Sequence, residues 1–380
     1  MPRRPSSLSA CGALLVALLG ASCSDSAPPP PDSTVDAPDA STPDTLVDFG
    51  IPDLVPTPDT PPPPPGPWRE VPAFTKADLI EASVIARDDI WIVGAGGEIW
   101  HFDGTTYRKA SSPVGATARL FTVACLARGD CWAAGREGSG PSSKMVLLRY
   151  DGSAWTLVPS NADETFTCIR VVGSDYYATT GESRALVRWD GSAWQPQWRD
   201  PSGAVNTFCL GGISPDALFV SGSQLVQENG GTVTRPFALR RAGAGFSPIA
   251  LPSPGPELPQ LSQASALLAP WVLSADEAWL PMGRMALVHY VQGKLSETLL
   301  PGASQGGSTT MMWGFAADDI WLIGRFNGPS SVESRIFHYD GSAWTPHEVV
   351  FDRAPLGIIG KRGQTAIIVG EDGLVLRYAP

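Results

Sequence analysis

Several residues and motifs that would indicate a particular chemistry are scarce or missing in this chain. Only 4 of its 380 residues are histidine and 6 are cysteine, and no two cysteines form a C-x-x-C pair. That spacing is typical of zinc sites and redox motifs, so neither is expected. A P-loop, a dinucleotide-binding fingerprint and an H-E-x-x-H sequence are also missing, which removes several common catalytic signatures. We therefore predict no metal, no cofactor and no catalytic residues.

The charge of the chain argues against nucleic acid as a partner. The formal net charge is −11, of which residues 1–23 contribute +2 and residues 24–67 contribute −8. The remainder, residues 68–380, carries −5 and shows no basic stripe along the sequence. Because phosphate contacts dominate affinity for nucleic acids, a slightly acidic domain is a poor candidate for that role.

What the chain does contain is one pattern repeated along its second part. An acidic turn is followed by an aromatic residue in an apolar run, at Trp91, Trp132, Tyr177, Phe219, Trp279 and Trp321, with Ile367 in the last place. The spacings are 41, 45, 42, 60, 42 and 46 residues, which is the size of a four-stranded propeller blade. Seven such units predict an all-β, seven-bladed propeller of antiparallel blades over residues 68–380.

The two ends of the repeat region predict how the ring closes. In the earlier units an Asp-Gly dipeptide, a strong hairpin signal, separates the third strand from the fourth. The last unit stops at Leu376-Arg377-Tyr378, where the Asp-Gly and the fourth strand are expected. Trp68-Arg69-Glu70 matches that missing strand. We therefore expect the N-terminal strand to complete the last blade, which removes the exposed edges of a linear stack.

These repeats carry a family resemblance. W-x-V-G occurs at 91–94 and H-Y-D-G-x-x-W at 338–344. With them, residues 68–380 resemble the seven-bladed propellers of bacterial surface lipoproteins. They are similar, at a greater distance, to kelch-type and photosystem-assembly propellers. The resemblance implies the fold but no single function, because propellers serve as enzymes, binders and scaffolds alike.

Residues 1–23 are predicted to be an export signal. Arg3 and Arg4 precede a short apolar run that cannot span a membrane. Small residues at 20–22 then precede Cys23, an arrangement that resembles a bacterial lipoprotein signal and implies that Cys23 is lipidated. The implied location is the cell envelope, at the outer membrane or the cell surface. Ordinary cleavage with secretion, and twin-arginine export, are the alternatives.

Residues 24–67 have the composition of a disordered linker. Of these 44 residues 15 are proline and 8 are aspartate, and none is lysine or arginine. Such a segment cannot bury a core. It is either a stalk that holds the propeller away from lipid or a neutral spacer of no fixed length.

Four cysteines beyond the signal allow two disulfides in an exported protein. Cys125 and Cys131 flank a short turn between the first two strands of one blade. Cys168 and Cys209 lie in the first strands of adjacent blades, so a bridge between blades is possible. Buried free thiols are the alternative for both pairs.

Histidines and acidic pairs occur at repeated positions, which favours structural roles over metal binding or catalysis. The histidines are His101, His289 and His338, and the acidic pairs are Asp88-Asp89, Asp276-Glu277 and Asp318-Asp319. Other blades carry arginine where these histidines stand. The acidic residues are expected to hydrogen-bond the backbone of their own turns.

Length variation is concentrated after the second and fourth strands, which open on one face of the propeller. Irregular loops on a rigid scaffold are frequent binding sites. The candidate binding residues are Arg136, Glu137 and Lys144 in blade two and Arg325, Asn327 and Glu333 in blade six, with the segment 252–263 of blade four. Neutral insertion into surface loops is the alternative.

The sequence as a whole predicts an envelope-anchored, non-enzymatic module that binds a protein or a glycan, or acts as a scaffold, through this face. A glycan-active hydrolase or lyase is the alternative, and it requires carboxylates that converge near the mouth of the central channel. A structural role in assembling an envelope complex is a third reading, which predicts stable co-purification with one partner.

Lipidation is tested by expressing the chain and a Cys23→Ala variant in a Gram-negative host. We expect the wild type in the membrane fraction, with a diacylglyceryl adduct on Cys23 by mass spectrometry, and the variant in the soluble fraction. Soluble, unlipidated products from both genes would contradict the prediction and indicate secretion.

Overall fold

The computed structural model describes residues 67–379 except 160–164, 182, 253–257, 328–331 and 348–352. Cys23, the predicted signal and all but the last residue of the predicted linker lie outside the described residues. Within them the chain forms seven four-stranded antiparallel sheets, and the first strand of each sheet contacts the first strands of the neighbouring sheets all around a ring. The protein is a seven-bladed β-propeller, as predicted.

The strands of blades one to six are adjacent in the order of the chain, with the first strand innermost. The first strands are Leu79–Ala86, Ala118–Ala127, Phe166–Val172, Val205–Ser214, Trp271–Ser274, Gly307–Ala316 and Pro355–Lys361. The second strands are Asp89–Gly94, Asp130–Glu137, Asp175–Thr180, Ala217–Glu228, Glu277–Pro281, Asp319–Asn327 and Thr365–Gly370.

The outer half of each blade consists of the third and fourth strands. The third strands are Ile99–Phe102, Lys144–Tyr150, Ala185–Trp189, Gly231–Ala242, Ala286–Val291, Val332–Tyr339 and Val375–Tyr378. The fourth strands are Tyr107–Lys109, Trp155–Val158, Trp194–Arg199, Gly245–Pro248, Lys294–Leu299, Trp344–His347 and, for blade seven, Trp68–Glu70.

Helical structure is confined to short segments among the described residues. One α-helix, Pro259–Gln263, lies between blades four and five, and single 3-10 turns occur at Gly140–Ser142, Ala303–Gln305 and Glu371–Gly373. No described helix has the length and apolar character needed to cross a membrane.

The repeated aromatic position is the centre of the packing. It is the third residue of every second strand, and all seven side chains at this position are buried. Buried apolar residues form seven clusters, each between two neighbouring blades. The second strands are therefore covered on both faces, which explains their near-continuous apolar sequence.

The Asp-Gly turns between third and fourth strands are built by the aspartate side chain. In blade two, the hydroxyl of Ser153 and the backbone N–H groups of Ser153 and Ala154 donate to Asp151. These hydrogen bonds favour the ionised carboxyl and lower the pKa of Asp151 to about 2. Gly152 follows at φ 95°, a conformation that glycine adopts without strain. This geometry ends the third strand and reverses the chain.

The innermost strands are held by side chains of the preceding blade. One edge of each innermost strand has no strand partner, so its buried N–H groups need other acceptors. Three such N–H groups donate to side-chain oxygens of the preceding blade: Val123 N to Glu81 Oε2 (3.2 Å), Cys125 N to Ser83 Oγ (2.9 Å) and Ile169 N to Thr122 Oγ1 (3.0 Å). Each bond joins one blade to the next.

The N-terminal strand closes the ring as predicted. Trp68 pairs with Tyr378 and Glu70 with Leu376 in an antiparallel ladder. The side chain of Trp68 is 6% exposed, and its ring meets those of Trp321 and Tyr378 edge-on at centroid distances of 5.4 Å. Blade seven is therefore assembled from both ends of the domain.

The closure is tested with a Trp68→Ala variant. Removing a buried indole from a packed site costs about 3–5 kcal/mol, and here it also weakens the strand that completes blade seven. We expect the free energy of unfolding, measured by urea denaturation, to fall by that amount. A Leu157→Ala variant is the control, because Leu157 is on the fourth strand of blade two but 53% exposed. Equal denaturation midpoints for the two variants would contradict a special role for Trp68.

Candidate functional site

The histidines and acidic residues at repeated positions join the second and third strands of their own blades. His101 Nε2 lies 2.8 Å from Asp89 Oδ1, and the same contact recurs in blades five and six as His289–Glu277 (3.0 Å) and His338–Asp319 (2.9 Å). Each imidazole stacks on the aromatic side chain of its second strand, with centroid distances of 3.9–4.3 Å.

The acidic residues of these pairs have a different hydrogen-bond partner from the one that the sequence predicts. The second acidic residue of each pair bonds the histidine across the blade instead of the backbone of its own turn. Blade two makes the same link with Arg149 and Asp130, and blade three with Arg188 and Asp175. In the described residues, no three histidine, cysteine or acidic side chains converge in a way that would hold a metal ion. These residues position the buried aromatics.

The central channel contains a buried ion pair that spans three blades. Glu81 of blade one is 3% exposed, and its Oε1 lies 2.6 Å from Nη2 of Arg170 in blade three. Glu81 also accepts the N–H of Val123 in blade two. Among the seven first strands, all of which the structure describes, Glu81 is the single carboxylate. The first strands therefore contribute one carboxylate to the channel, and it is paired with a cation.

The two faces of the propeller differ in the length of their connections. We call the face with the second-to-third hairpins and the connections between blades the hairpin face, and the opposite one the turn face. The second strands of blades two, four and six have 8, 12 and 9 residues, against 5 or 6 in the other blades. Three alternating blades therefore extend their hairpins on the hairpin face.

The candidate residues of blades two and six lie at the ends of these hairpins. Arg136 and Glu137 end the second strand of blade two, and Lys144 begins the third. Arg325 and Asn327 lie in the second strand of blade six, and Glu333 lies in the third. In blade two the ladder ends at Glu137 and Lys144, and residues 138–143 form a loop with a 3-10 turn. In blade six the ladder continues to Asn327 and Val332, while 328–331 lies outside the described residues.

Blade four departs furthest from the sequence expectation. The segment 252–263 accounts for part of its extra length, as expected, and another part is in a long hairpin whose ladder runs to Glu228 and Gly231. The turn residues Asn229 and Gly230 have φ values of 50° and 80°, as a tight hairpin turn requires. The Asn-Gly dipeptide was the sequence signal that would have identified this hairpin.

Several side chains of the hairpin face are fixed by local contacts. Glu137 Oε1 accepts the N–H of Gly115 at 2.8 Å, and Glu333 pairs with Arg335 at 3.2 Å. Arg136, Lys144 and Arg325 make no ion pair within the part of the chain that the structure describes. Three cations at hairpin ends are therefore available to a partner.

A groove lies beside the α-helix between blades four and five, along the fourth strand of blade five. Its volume is about 490 Å³, and its lining includes Leu258, Pro259, Leu295 and Leu299. Leu299 is 55% exposed. Glu297 accepts the backbone N–H groups of Gln260 (3.0 Å) and Leu261 at the start of the helix, which fixes the wall of the groove.

The four cysteines lie in two pairs. The sulfur atoms of Cys125 and Cys131 are at bonding distance within blade two, and those of Cys168 and Cys209 join the first strands of blades three and four. The second bridge would tie two blades together at the inner ring, beside the hydrogen bonds that link the other inner strands.

One short segment matches the spacing of a catalytic motif, and the structure around it decides whether the motif is present. Residues 302–306, Gly-Ala-Ser-Gln-Gly, have the G-x-S-x-G spacing of a nucleophile elbow. That motif requires a strand, a sharp turn and a helix. Here residues 303–305 form a single 3-10 turn followed by a strand, so the required context is missing.

The fold and the site define a seven-bladed propeller with three long hairpins on one face. Among solved structures it is similar to YCF48 bound to a D1 peptide, with a TM-score of 0.59 and 17% identity, covering 83% of this chain and 98% of that one. It is also similar to virginiamycin B lyase from Staphylococcus aureus, with a TM-score of 0.55 and 14% identity, covering 82% and 98%.

A third solved structure with this architecture is the GH74 xyloglucanase from Xanthomonas campestris, with a TM-score of 0.53 and 14% identity, covering 82% of this chain and 53% of that one. No protein-family model matches the chain, and no curated protein sequence matches it. At these identities the similarity shows the fold, which binding proteins and enzymes share.

The two disulfides are tested by double serine variants. The Cys168/Cys209 bridge spans 41 residues and the Cys125/Cys131 bridge spans 6. Because a longer closed loop restricts the unfolded chain more, we expect losses in unfolding free energy of about 4 and about 2 kcal/mol, respectively. Urea denaturation under oxidising conditions measures both losses. Free thiols at all four positions in the denatured wild type would contradict the prediction.

Proposed function

We propose that this chain is a non-enzymatic binding module of the bacterial envelope, tethered by a lipid on Cys23, which recognises an extended protein segment through its hairpin face. The observation that carries the proposal is the concentration of extra chain length on that face, in the hairpins of blades two, four and six. Because these hairpins continue rigid blade strands, they offer contacts at a small cost in conformational entropy.

The chemistry of the face supports a peptide ligand. The groove beside Leu258, Leu295 and Leu299 offers apolar surface, and Arg136 and Lys144 offer unpaired positive charge. A protein segment carries apolar and acidic side chains together, so it suits both features better than a neutral glycan does. The similarity to YCF48, whose structure contains a D1 peptide, agrees with this choice.

The position of the N-terminal strand is consistent with a tethered binder. Trp68 is opposite Tyr378, which ends the third strand of blade seven at the turn face. The strand therefore begins on the face opposite the long hairpins.

No observation in the described residues favours the glycan-active alternative. Glu81, the carboxylate of the inner ring, is paired with Arg170. An enzyme of this class needs a second, protonated carboxyl group close by to act as an acid.

The proposed binding face is tested by site-specific photocrosslinking in the bacterial envelope. A photoreactive residue at Ser139, exposed in the hairpin of blade two, should yield a discrete crosslinked partner. One at Ser192, exposed in an Asp-Gly turn on the opposite face, should not. Reversing the charges with Arg136→Glu, Lys144→Glu and Arg325→Glu should lower the yield at Ser139 at least about 10-fold, as expected for loss of central polar contacts.

The control is Arg108→Glu, because Arg108 is a highly exposed arginine on the fourth strand of blade one. This variant should retain the crosslink at Ser139. Equal yields at Ser139 and Ser192, or a triple variant that crosslinks like the wild type, would contradict the proposal. Turnover of a glycan polymer by the purified wild type would favour the enzymatic alternative.

A further inference from the structure

Blade seven reverses the charge of a repeated turn. In blades one, five and six the turn between the first and second strands carries two acidic residues before the buried aromatic position. In blade seven, Gln364 and Thr365 stand at those two places, and Lys361 and Arg362 precede them. Each of the other six blades has at least one acidic residue at these two places, whereas blade seven has neutral residues there and two cations earlier in the same turn.

Because blade seven lacks the acidic pair, Arg377 has a different interaction partner from the equivalent residues of other blades. This residue occupies the third-strand position whose side chain pairs with an acidic residue in other blades, as His101 does with Asp89. Arg377 instead donates from Nη2 to the carbonyl of Arg87 at 3.0 Å, and its guanidinium lies 4.4 Å from the ring centroid of Phe102. Within the described residues, no carboxylate forms an ion pair with it.

Four cations lie on the turn of blade seven or beside it, and we call them the basic rim: Arg87, Lys361, Arg362 and Arg377. Contacts with main-chain carbonyls place three of them at the boundary between blades seven and one. Lys361 Nζ donates to the carbonyl of Ile85 at 2.6 Å, Arg87 Nη2 to that of Gln364 at 3.0 Å, and Arg377 to that of Arg87. Arg362 follows Lys361 in the chain.

The cations of the basic rim have carbonyl groups as partners in place of carboxylates. Arg362 Nη2 donates to the carbonyl of Val272 in blade five at 2.9 Å, and its guanidinium lies 5.2 Å from the ring centroid of Trp271. Partial burial lowers the pKa of the Arg362 guanidinium. No carboxylate of the described residues lies within ion-pair distance of any of the four.

We propose that the basic rim is a second binding site, on the face opposite the hairpins, that takes a short acidic segment of a partner protein. Arg87, Lys361 and Arg362 are exposed and Arg377 is partly so, so carboxylates can reach all four. Carboxylates accept charge-assisted hydrogen bonds from guanidinium groups, which are stronger than those with neutral carbonyls.

The surroundings of the basic rim limit the ligand to a short segment. Acidic pairs flank it on the turns of blades one and six, at Asp88-Asp89 and Asp318-Asp319. A long polyanion such as nucleic acid would extend from the rim over these carboxylates and be repelled. A few consecutive acidic side chains would stay within the rim.

The test measures binding of a fluorescein-labelled octaglutamate peptide to the full mature chain by fluorescence anisotropy at low salt. We expect Lys361→Gln/Arg362→Gln to weaken binding about 5-fold, because each exposed charge contributes modestly. The matched control is Lys294→Gln/Arg199→Gln, which removes one lysine and one arginine that are exposed on fourth strands and have no ion pair among the described residues. The control should change affinity less than about 2-fold.

Several outcomes would overturn the proposal. Equal weakening in both double variants would mean unspecific attraction, and no binding by the wild type would mean no site. An oligonucleotide that competes more strongly than the peptide would exclude an acidic protein segment as the preferred ligand. Binding that occurs only after the eight aspartates of residues 24–67 are changed to asparagine would identify that segment as the occupant. Unfolding midpoints equal to that of the wild type establish that both variants are folded.

Discussion

The structure depends on satisfying the free edges of its innermost strands. Each of these strands pairs with a second strand on one side only, and its other edge faces the neighbouring blade inside the protein. A buried N–H group without an acceptor costs about 1–3 kcal/mol. Ser83, Thr122 and Glu81 each supply the acceptor for the next blade. These few polar side chains allow otherwise apolar strands to converge around an axis.

The need to satisfy the inner strands limits variation inside the ring but leaves the ends of the strands free to vary. The inner ring and the seven apolar clusters need similar residues in every blade, so the repeat is strict there. The ends of the strands do not have this requirement. The hairpins of blades two, four and six lengthen on one face, and the turn of blade seven reverses its charge on the other. Departures from the repeat are therefore the positions at which function is to be sought.

Much of the fold could be predicted from the sequence, because the repeat reports local structure. The seven aromatic or apolar positions used to measure the period all occupy the third place of a second strand. The closure by Trp68-Arg69-Glu70 followed from an unfinished last unit. The long hairpin of blade four is not part of the sequence prediction, which explains only part of the 60-residue spacing with a loop, although Asn229-Gly230 marks the turn.

Side-chain contacts within and between blades could not be predicted in the same way. His101 and Asp89 were each recognised as repeated, but their pairing depends on strand register, which the sequence alone did not specify. Glu81 and Arg170 belong to blades that are not adjacent, and they meet only because both point into the channel. The basic rim likewise combines Arg87 with Arg377, from opposite ends of the domain. The sequence showed no basic stripe, because these residues are brought together by the closed ring.

Closure by the N-terminal strand also has a consequence for biogenesis. Trp68–Glu70 is the first strand of the domain to be synthesised, and its partner, Val375–Tyr378, is the last. Blades one to six can form in order as the chain emerges, but blade seven must wait until Val375–Tyr378 has been synthesised. Until then the growing domain is an open arc with unpaired terminal strands, which are prone to pair with other chains. Its safe folding therefore depends on what shields those strands during synthesis.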